Sequence, residues 1–270
     1  MTIDSANDSV FPAIVDCIYA DLIPSSRNRA PVDAEHKCDR RLLYAGELDS
    51  AGGTLVTAAN IAGISSLSAT TNKTEQNQAI RDSVIHFLVT RFNEAMQILK
   101  TRENQHEAVA VCVAASPEEI ESEMQSSGVV PDLLPPGVLD APRYKPFLDH
   151  GARQVNPLPA RKDQTVITWT VDSAPTLWLP RLDSIACDCL ASSQDSDTSP
   201  VFRWLRLAPH YLGRLAQEVR LLRCRTETAH ELLRELCKQV ASARIDVGVK
   251  VSLATKGKFE TYRLSPPKAA

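Results

Sequence analysis

Between Leu43 and Gly63 the chain reads LYAGELDSAGGTLVTAANIAG. A short apolar run ends in a glycine, a polar loop and a glycine pair follow, and a small-residue segment of helical character comes next. A phosphate-cradling strand–loop–helix turn is written this way. Its glycines let backbone amides approach a pyrophosphate, and the helix N-terminus supplies partial positive charge. Gly46, Gly52, Gly53 and Thr54 are therefore the first candidates for chemistry. Two residues of the same turn oppose an anion: Glu47 and Asp49 stand inside it, with no Lys or Arg between them and Gly53. Each carboxylate at ~4–6 Å from a phosphate repels it by about 1 kcal/mol even when screened. The competing reading gives the three glycines to a tight turn and close helix–strand packing.

Other reactive side chains are scattered. His36, His86, His106, His150, His210 and His230 are each separated by 20 residues or more. His86 lies in the apolar run VIHFLV and reads as a sheet-end histidine. The seven cysteines are odd in number, no C-x-x-C occurs, and the nearest pair is Cys187 and Cys189. Reduced thiols in a cytoplasmic protein are expected, and no metal site. Cys112 sits in a buried run, where a thiol is a small hydrophobe. Ser65, Ser66 and Ser116 lack a Gly-x-Ser-x-Gly elbow. No catalytic acid, base or nucleophile stands out among these residues.

The elements that must position the turn follow from hydrophobic periodicity. Residues 9–23 repeat apolar positions at helical spacing, after a polar tail without the basic start of a secretory signal. Residues 24–40 read as a loop. Strands are expected at 42–45, 64–69, 84–89, 108–113 and 129–134. Helices are expected at 52–62, 74–82 and 92–102, with a fourth opened by Ser116 as cap, Pro117, Glu118 and Glu119, and closed by Gly128. AVAVCV at 108–113 has no polar alternation, which suits a strand buried on both faces of a parallel sheet. Strand–helix alternation at this spacing makes residues 41–134 a Rossmann-like α/β domain, an open parallel sheet with helices on both faces. Residues 1–40 are an N-terminal helix and linker.

Residues 135–163 carry six prolines and read as a linker or irregular flap. Residues 164–270 are expected to form a smaller α+β region. Its strand is 164–171. Its helices run from Pro175 to Ala191, from Pro200 to Cys224, and from Thr228 to Arg244 behind a Thr228–Glu231 capping box. SSQDSDTS is a solvent loop. A C-terminal hairpin joins 247–254 to 259–264 through Lys256-Gly257. Trp169, Trp178 and Trp204 anchor its core. On the second helix Arg203, Arg206, His210, Arg214 and Gln217 share a stripe, and residues 199–244 hold nine Lys or Arg against four Asp or Glu. Without a recognition motif or interleaved aromatics this reads as a solvated face, and nucleic acid is not expected there.

The middle third resembles the NAD-binding domain inserted in the urocanase (urocanate hydratase) family. The resemblance rests on Ala45-Gly46, Gly52-Gly53, NIAGISSL at 60–67, NEAMQIL at 93–99, AVAVCV at 108–113 and SGVVPDLL at 127–134, in the family's order. It implies a tightly bound NAD whose nicotinamide adds to urocanate, as in a hydro-lyase. Carried over by position, the cofactor-binding residues are Gly46, Gly52, Gly53 and Thr54 at the turn, Thr70 and Asn72 after the second strand, and Ala115 and Ser116 after the fourth. The chain departs from the family at Leu55 (Gln there), at Thr70 (an acid there), at Ala115-Ser116 (Gly-Asn there) and at Pro135-Pro136-Gly137. The family's flanking catalytic regions have no counterpart in these 270 residues.

With 43% hydrophobic and 23% charged residues and a formal charge of −3, the chain has ordinary globular composition and no global pull toward polyanions or membranes. No apolar run approaches the ~20 residues that cross a bilayer. The expectation is a non-catalytic urocanase-like protein with a binding, regulatory or assembly role, without a cofactor. Its partner would be a small molecule, a protein or a second copy of the chain. The alternatives are an NAD-dependent urocanase-like lyase and an adaptor working through the basic helix 200–224.

Overall fold

The apolar runs of the first half become one parallel sheet in the structure, a computed structural model. Residues 10–23, 39–139, 141–192, 199–255 and 258–267 are described. The expected polar tail, the loop before residue 39, the solvent loop at 193–198 and the Lys256-Gly257 turn lie outside them. The chain divides into two compact units, residues 14–158 and residues 1–13 with 159–270.

Helix α1 (Val10–Leu22) precedes strand β1 (Asp39–Glu47). Then come α2 (Ser50–Ala62), β2 (Ile64–Ala69), α3 (Lys73–Arg81), β3 (Phe87–Val89), α4 (Phe92–Asn104), β4 (Ala110–Val113), α5 (Pro117–Ser127) and β5 (Leu133–Leu134). A 3-10 turn at Pro142–Tyr144, α6 (Lys145–Asp149) and β6 (Arg153–Gln154) complete this part. The six strands are all parallel in the order β3-β4-β2-β1-β5-β6, flanked by helices. All four residues of β4 are 0% exposed, as a run without polar alternation requires. Ser116 and Glu119 cap α5 reciprocally, with Pro117 in its first turn and Gly128 ending it at φ 71°.

Three expected elements come out differently. The strand at 84–89 is only Phe87–Val89. Val84 and Ile85 instead close α3 by donating to the Ala79 carbonyl. The strand at 129–134 shrinks to Leu133–Leu134. The proline-rich stretch supplies α6 and β6, so the sheet gains a strand where a linker was expected. Arg153 Nη1 meets Asp21 Oδ2 at 2.7 Å, and Leu158 N–H donates to the Cys17 carbonyl at 2.8 Å. These contacts tie the segment to α1.

The second unit is α+β. Strands β7 (Gln164–Val171), β8 (Val219–Arg225), β9 (Val249–Thr255) and β10 (Lys258–Leu264) form an antiparallel sheet in the order β10-β9-β7-β8. Helices α7 (Pro175–Ser192), α8 (Ser199–Tyr211) and α9 (Thr226–Ala241) complete it. On β7, Thr165, Ile167 and Trp169 are 0–1% exposed while Val166, Thr168 and Thr170 are half-buried. One face therefore packs against α7 and α9 and the other turns outward. Trp169, Trp178 and Trp204 are all buried, and Trp204 Nε1 donates to the Leu221 carbonyl at 2.7 Å.

The expected helix 200–224 does not form. It stops at Tyr211, a short 3-10 turn covers Gly213–Gln217, and the remainder is β8, paired to β7 along its whole length. Gly213 at φ 59° breaks the helix. Leu221, Leu222 and Cys224 are buried in β8, and the ladder to β7 rather than the burial pattern makes the segment a strand. The Thr228 capping box is likewise absent: α9 starts at Thr226, and Thr228 is buried inside it. No helix among the described residues is long and apolar enough to cross a membrane.

Candidate functional site

In an open α/β sheet the ligand crevice lies at the carboxyl ends of the strands, where the strand order reverses. Here β2 and β4 lie on one side of β1, and the chain crosses back after β4 to place β5 on the other. The crevice therefore sits beyond the ends of β1 and β5. The register aligns the expected site residues along the same edge. Glu47 is level with Ala69, Ala69 with Val113, and Thr70 N–H donates to the Val113 carbonyl at 3.1 Å.

Each of these residues has work inside the fold. Gly46 follows a register shift in β1 and adopts φ 73°, which favours glycine. A Cβ at Gly52 would lie 1.9 Å from the Glu47 carbonyl oxygen, so strand and helix approach there more closely than any side chain allows. At Gly53 a Cβ would meet nothing within 4 Å. Thr54 Oγ1 donates to the Ser50 carbonyl at 2.6 Å. Asn72 caps α3 through Thr74 N–H. The Thr70 hydroxyl accepts from Asn72 N–H at 3.1 Å and contacts Glu75 at 3.2 Å. Ser116 caps α5, and Ala115 is half-buried beside it.

The decisive residue in the turn is Asp49. Its Oδ1 accepts from Ala51 N–H and Gly52 N–H, both at 2.9 Å, while Gly53 N–H is bound to the Asp49 carbonyl. The helix terminus thus holds an anion already, its own N-cap carboxylate. The Ala51, Gly52 and Gly53 amides are thus already bonded within the turn, and an anion would have to displace the Asp49 carboxylate to reach the first two.

Side chains from the segment after β5 reach the end of β1. A Cβ at Gly46 would lie 3.4 Å from Tyr144 Oη and 3.7 Å from Pro135 Cγ. Tyr144, Phe147 and Val138 are buried in the same apolar cluster as Tyr44. Under them lies a polar group that the sequence did not flag. Tyr44 Oη donates to Glu121 Oε1 at 3.2 Å, with the Pro117 carbonyl as a second acceptor at 3.3 Å. Arg143 reaches Glu118 at 3.0 Å and Glu121 at 3.7 Å, and its guanidinium lies 4.9 Å from the Tyr144 ring centre. Burial pushes the Glu121 carboxyl up, and Arg143 offsets only part of this. Burial, with the Glu121 charge, raises Tyr44 and pushes Tyr144 up to about 12. Tyr44 was the only available signal: a phenol in a buried strand needs a partner. Residues 44, 121 and 144 have no spacing that announces a site.

The cluster works as a fastening for the 135–149 segment, since its charged and phenolic groups all bond to one another or to α5. Elsewhere, His86 Nδ1 accepts from Ala110 N–H at the sheet edge. Burial raises the Cys112 thiol to about 11 and makes it inert. No group of three or more His, Cys, Asp or Glu able to hold a metal occurs among the described residues.

No protein-family model matches the chain, and no curated protein matches it. The fold and the edge geometry define its class: an α/β protein with a Rossmann-like parallel sheet, followed by an α+β unit.

Proposed function

We propose that the chain is a non-catalytic Rossmann-like protein that acts by binding a partner, with the α/β unit as a rigid scaffold. The observation that carries this reading is the Asp49 carboxylate seated on the amides of the α2 terminus. The Tyr144 and Pro135 side chains support it, because they already pack within 3.4 and 3.7 Å of where a Cβ at Gly46 would stand, beside the turn a dinucleotide would approach. The urocanase-like hydro-lyase reading needs both to be displaced.

Native and denaturing mass spectra of the purified chain, followed by thermal shift with added NAD, test the proposal. The expected native mass is that of the bare chain or a whole multiple of it, with no NAD-dependent rise in Tm. A retained mass near that of NAD, lost on denaturation, would overturn the proposal and make urocanate the substrate to try.

A further inference from the structure

The arginines read as a helical stripe are redistributed by β8. Arg220 turns to the helix-covered face and pairs with Asp183 at 2.8 Å. Arg223 and Arg225 fall on the opposite face, because Arg223 pairs across from Val166 and Arg225 from Gln164. Register then adds Lys250, opposite Thr170, and Arg263, opposite Lys250. Four basic side chains from three strands thus share the outer face, and the strand register places no Asp or Glu on it. Asp172, past the end of β7, folds over Gly248 and bounds the face at one end. The charge is regional: residues 159–270 hold 17 Lys or Arg against 12 Asp or Glu, whereas residues 1–158 hold 13 against 21.

The same face carries an aromatic and a row of hydroxyls. Phe259 of β10, paired with Ala254, is 71% exposed, the largest exposure among the exposed large hydrophobics. Thr168, Ser252 and Thr261 lie in one row across three strands; Thr261 is exposed, Thr168 half-buried and Ser252 buried, with its Oγ 3.0 Å from Thr261 Oγ1. A bare phenylalanine on an edge strand invites unwanted pairing unless something uses it. Cations on a sheet face that also carries an exposed ring suit a chain of phosphates whose bases are free to stack. A duplex offers the phosphates without the base faces. An acidic protein has no need of the ring.

We propose that the outer face of the β10-β9-β7-β8 sheet binds single-stranded nucleic acid, with Phe259 stacking on a base and Lys250 and Arg263 contacting phosphates. This goes beyond the scaffold reading, which concerns the other unit, and it stands or falls separately from the NAD experiment.

The test is fluorescence anisotropy with a fluorescein-labelled oligouridylate of about 12 nucleotides and the full chain, across a salt series. Binding should weaken steeply with salt. Phe259→Ala should weaken it about 5- to 150-fold at unchanged salt slope, the value of one stacked base. Lys250→Glu with Arg263→Glu should weaken it and flatten the slope by about 1.4, two phosphate contacts on a single strand. These positions are exposed or half-buried, and unchanged thermal unfolding of each variant establishes that the fold is kept. Absence of binding at low salt overturns the proposal. So does a duplex that competes as well as the single strand. Binding that Phe259→Ala leaves intact also overturns it, in favour of phosphate contacts without base stacking.

Discussion

The carboxyl edge of the parallel sheet and the outer face of the antiparallel sheet handle their polar groups in opposite ways. At the edge, Asp49, Asn72 and Ser116 each close the helix they precede, and Glu121 is covered by Tyr44, Tyr144 and Arg143. On the outer face, Phe259, Thr261 and Arg263 stand in solvent. The difference is topological. Strands β1 to β4 of the parallel sheet each lead into a helix, and the first turn of such a helix has orphan amides that need acceptors. Polar residues near such an edge are drawn into capping before any ligand can use them. An antiparallel sheet closes its ladders within the sheet, and its second face has nothing to satisfy. A short polar motif at a strand end is therefore weaker grounds for a site than cations gathered by register on an open face.

The comparison breaks most visibly at Gly52. Gly52→Ala sets a methyl 1.9 Å from the Glu47 carbonyl oxygen, and backbone on both sides must move. A loss of about 3 kcal/mol or more in urea unfolding is expected, at the upper end of overpacking costs. Lys250→Glu on the outer face should stay within about 0.5 kcal/mol. Comparable losses for the two would mean that the outer face is structural and the contrast false.

A smaller effect sharpens the contrast through pH. Burial raises Glu121 above its ordinary value. A carboxyl with a raised folded pKa stabilises the fold below its unfolded pKa, and that contribution is lost as pH rises through the folded pKa. Stability should therefore decline on this account from acid toward neutral pH. Glu121→Gln keeps an acceptor for Tyr44 and has no charge to bury, so its decline should be smaller. Urea midpoints for both proteins over roughly pH 4 to 8 read this directly. Identical slopes would mean that Arg143 cancels the effect of burial, and a steeper decline in Glu121→Gln that Arg143 outweighs it.

Local grammar was readable where the signal and the structure share a length scale. Ser116, Pro117, Glu119 and Gly128 sit within one helix and delimit it as written, and β4 announces its burial by composition alone. β8 was not readable. Arg203, Arg206 and His210 mimic a helical stripe, and Leu221-Leu222 suits either period, so only pairing with residues more than fifty positions earlier decides for a strand. Thr228 and Glu231 spell a capping box, yet the ladder between Gln164 and Arg225 ends the strand sooner, and Thr226 begins the helix. The candidate site divides likewise. The glycines and caps were visible as residues, while the Tyr144 side chain over Gly46 depends on a 98-residue separation that no local pattern encodes.

Gly53 gives the smallest effect and the one that most directly separates the two readings of the turn. It lies in the first turn of α2, and a Cβ there would touch nothing within 4 Å. Glycine in a helix costs about 0.5–1 kcal/mol relative to alanine, partly through the freedom of the unfolded chain. The fold demands Gly46 and Gly52 and makes no demand for Gly53. Gly53→Ala should therefore raise the unfolding free energy by about 0.5–1 kcal/mol, opposite in sign to Gly52→Ala one residue away. If Gly53→Ala instead lowers stability, another group packs against the Gly53 backbone in the folded protein, and the turn has a reason for its second glycine beyond its own geometry.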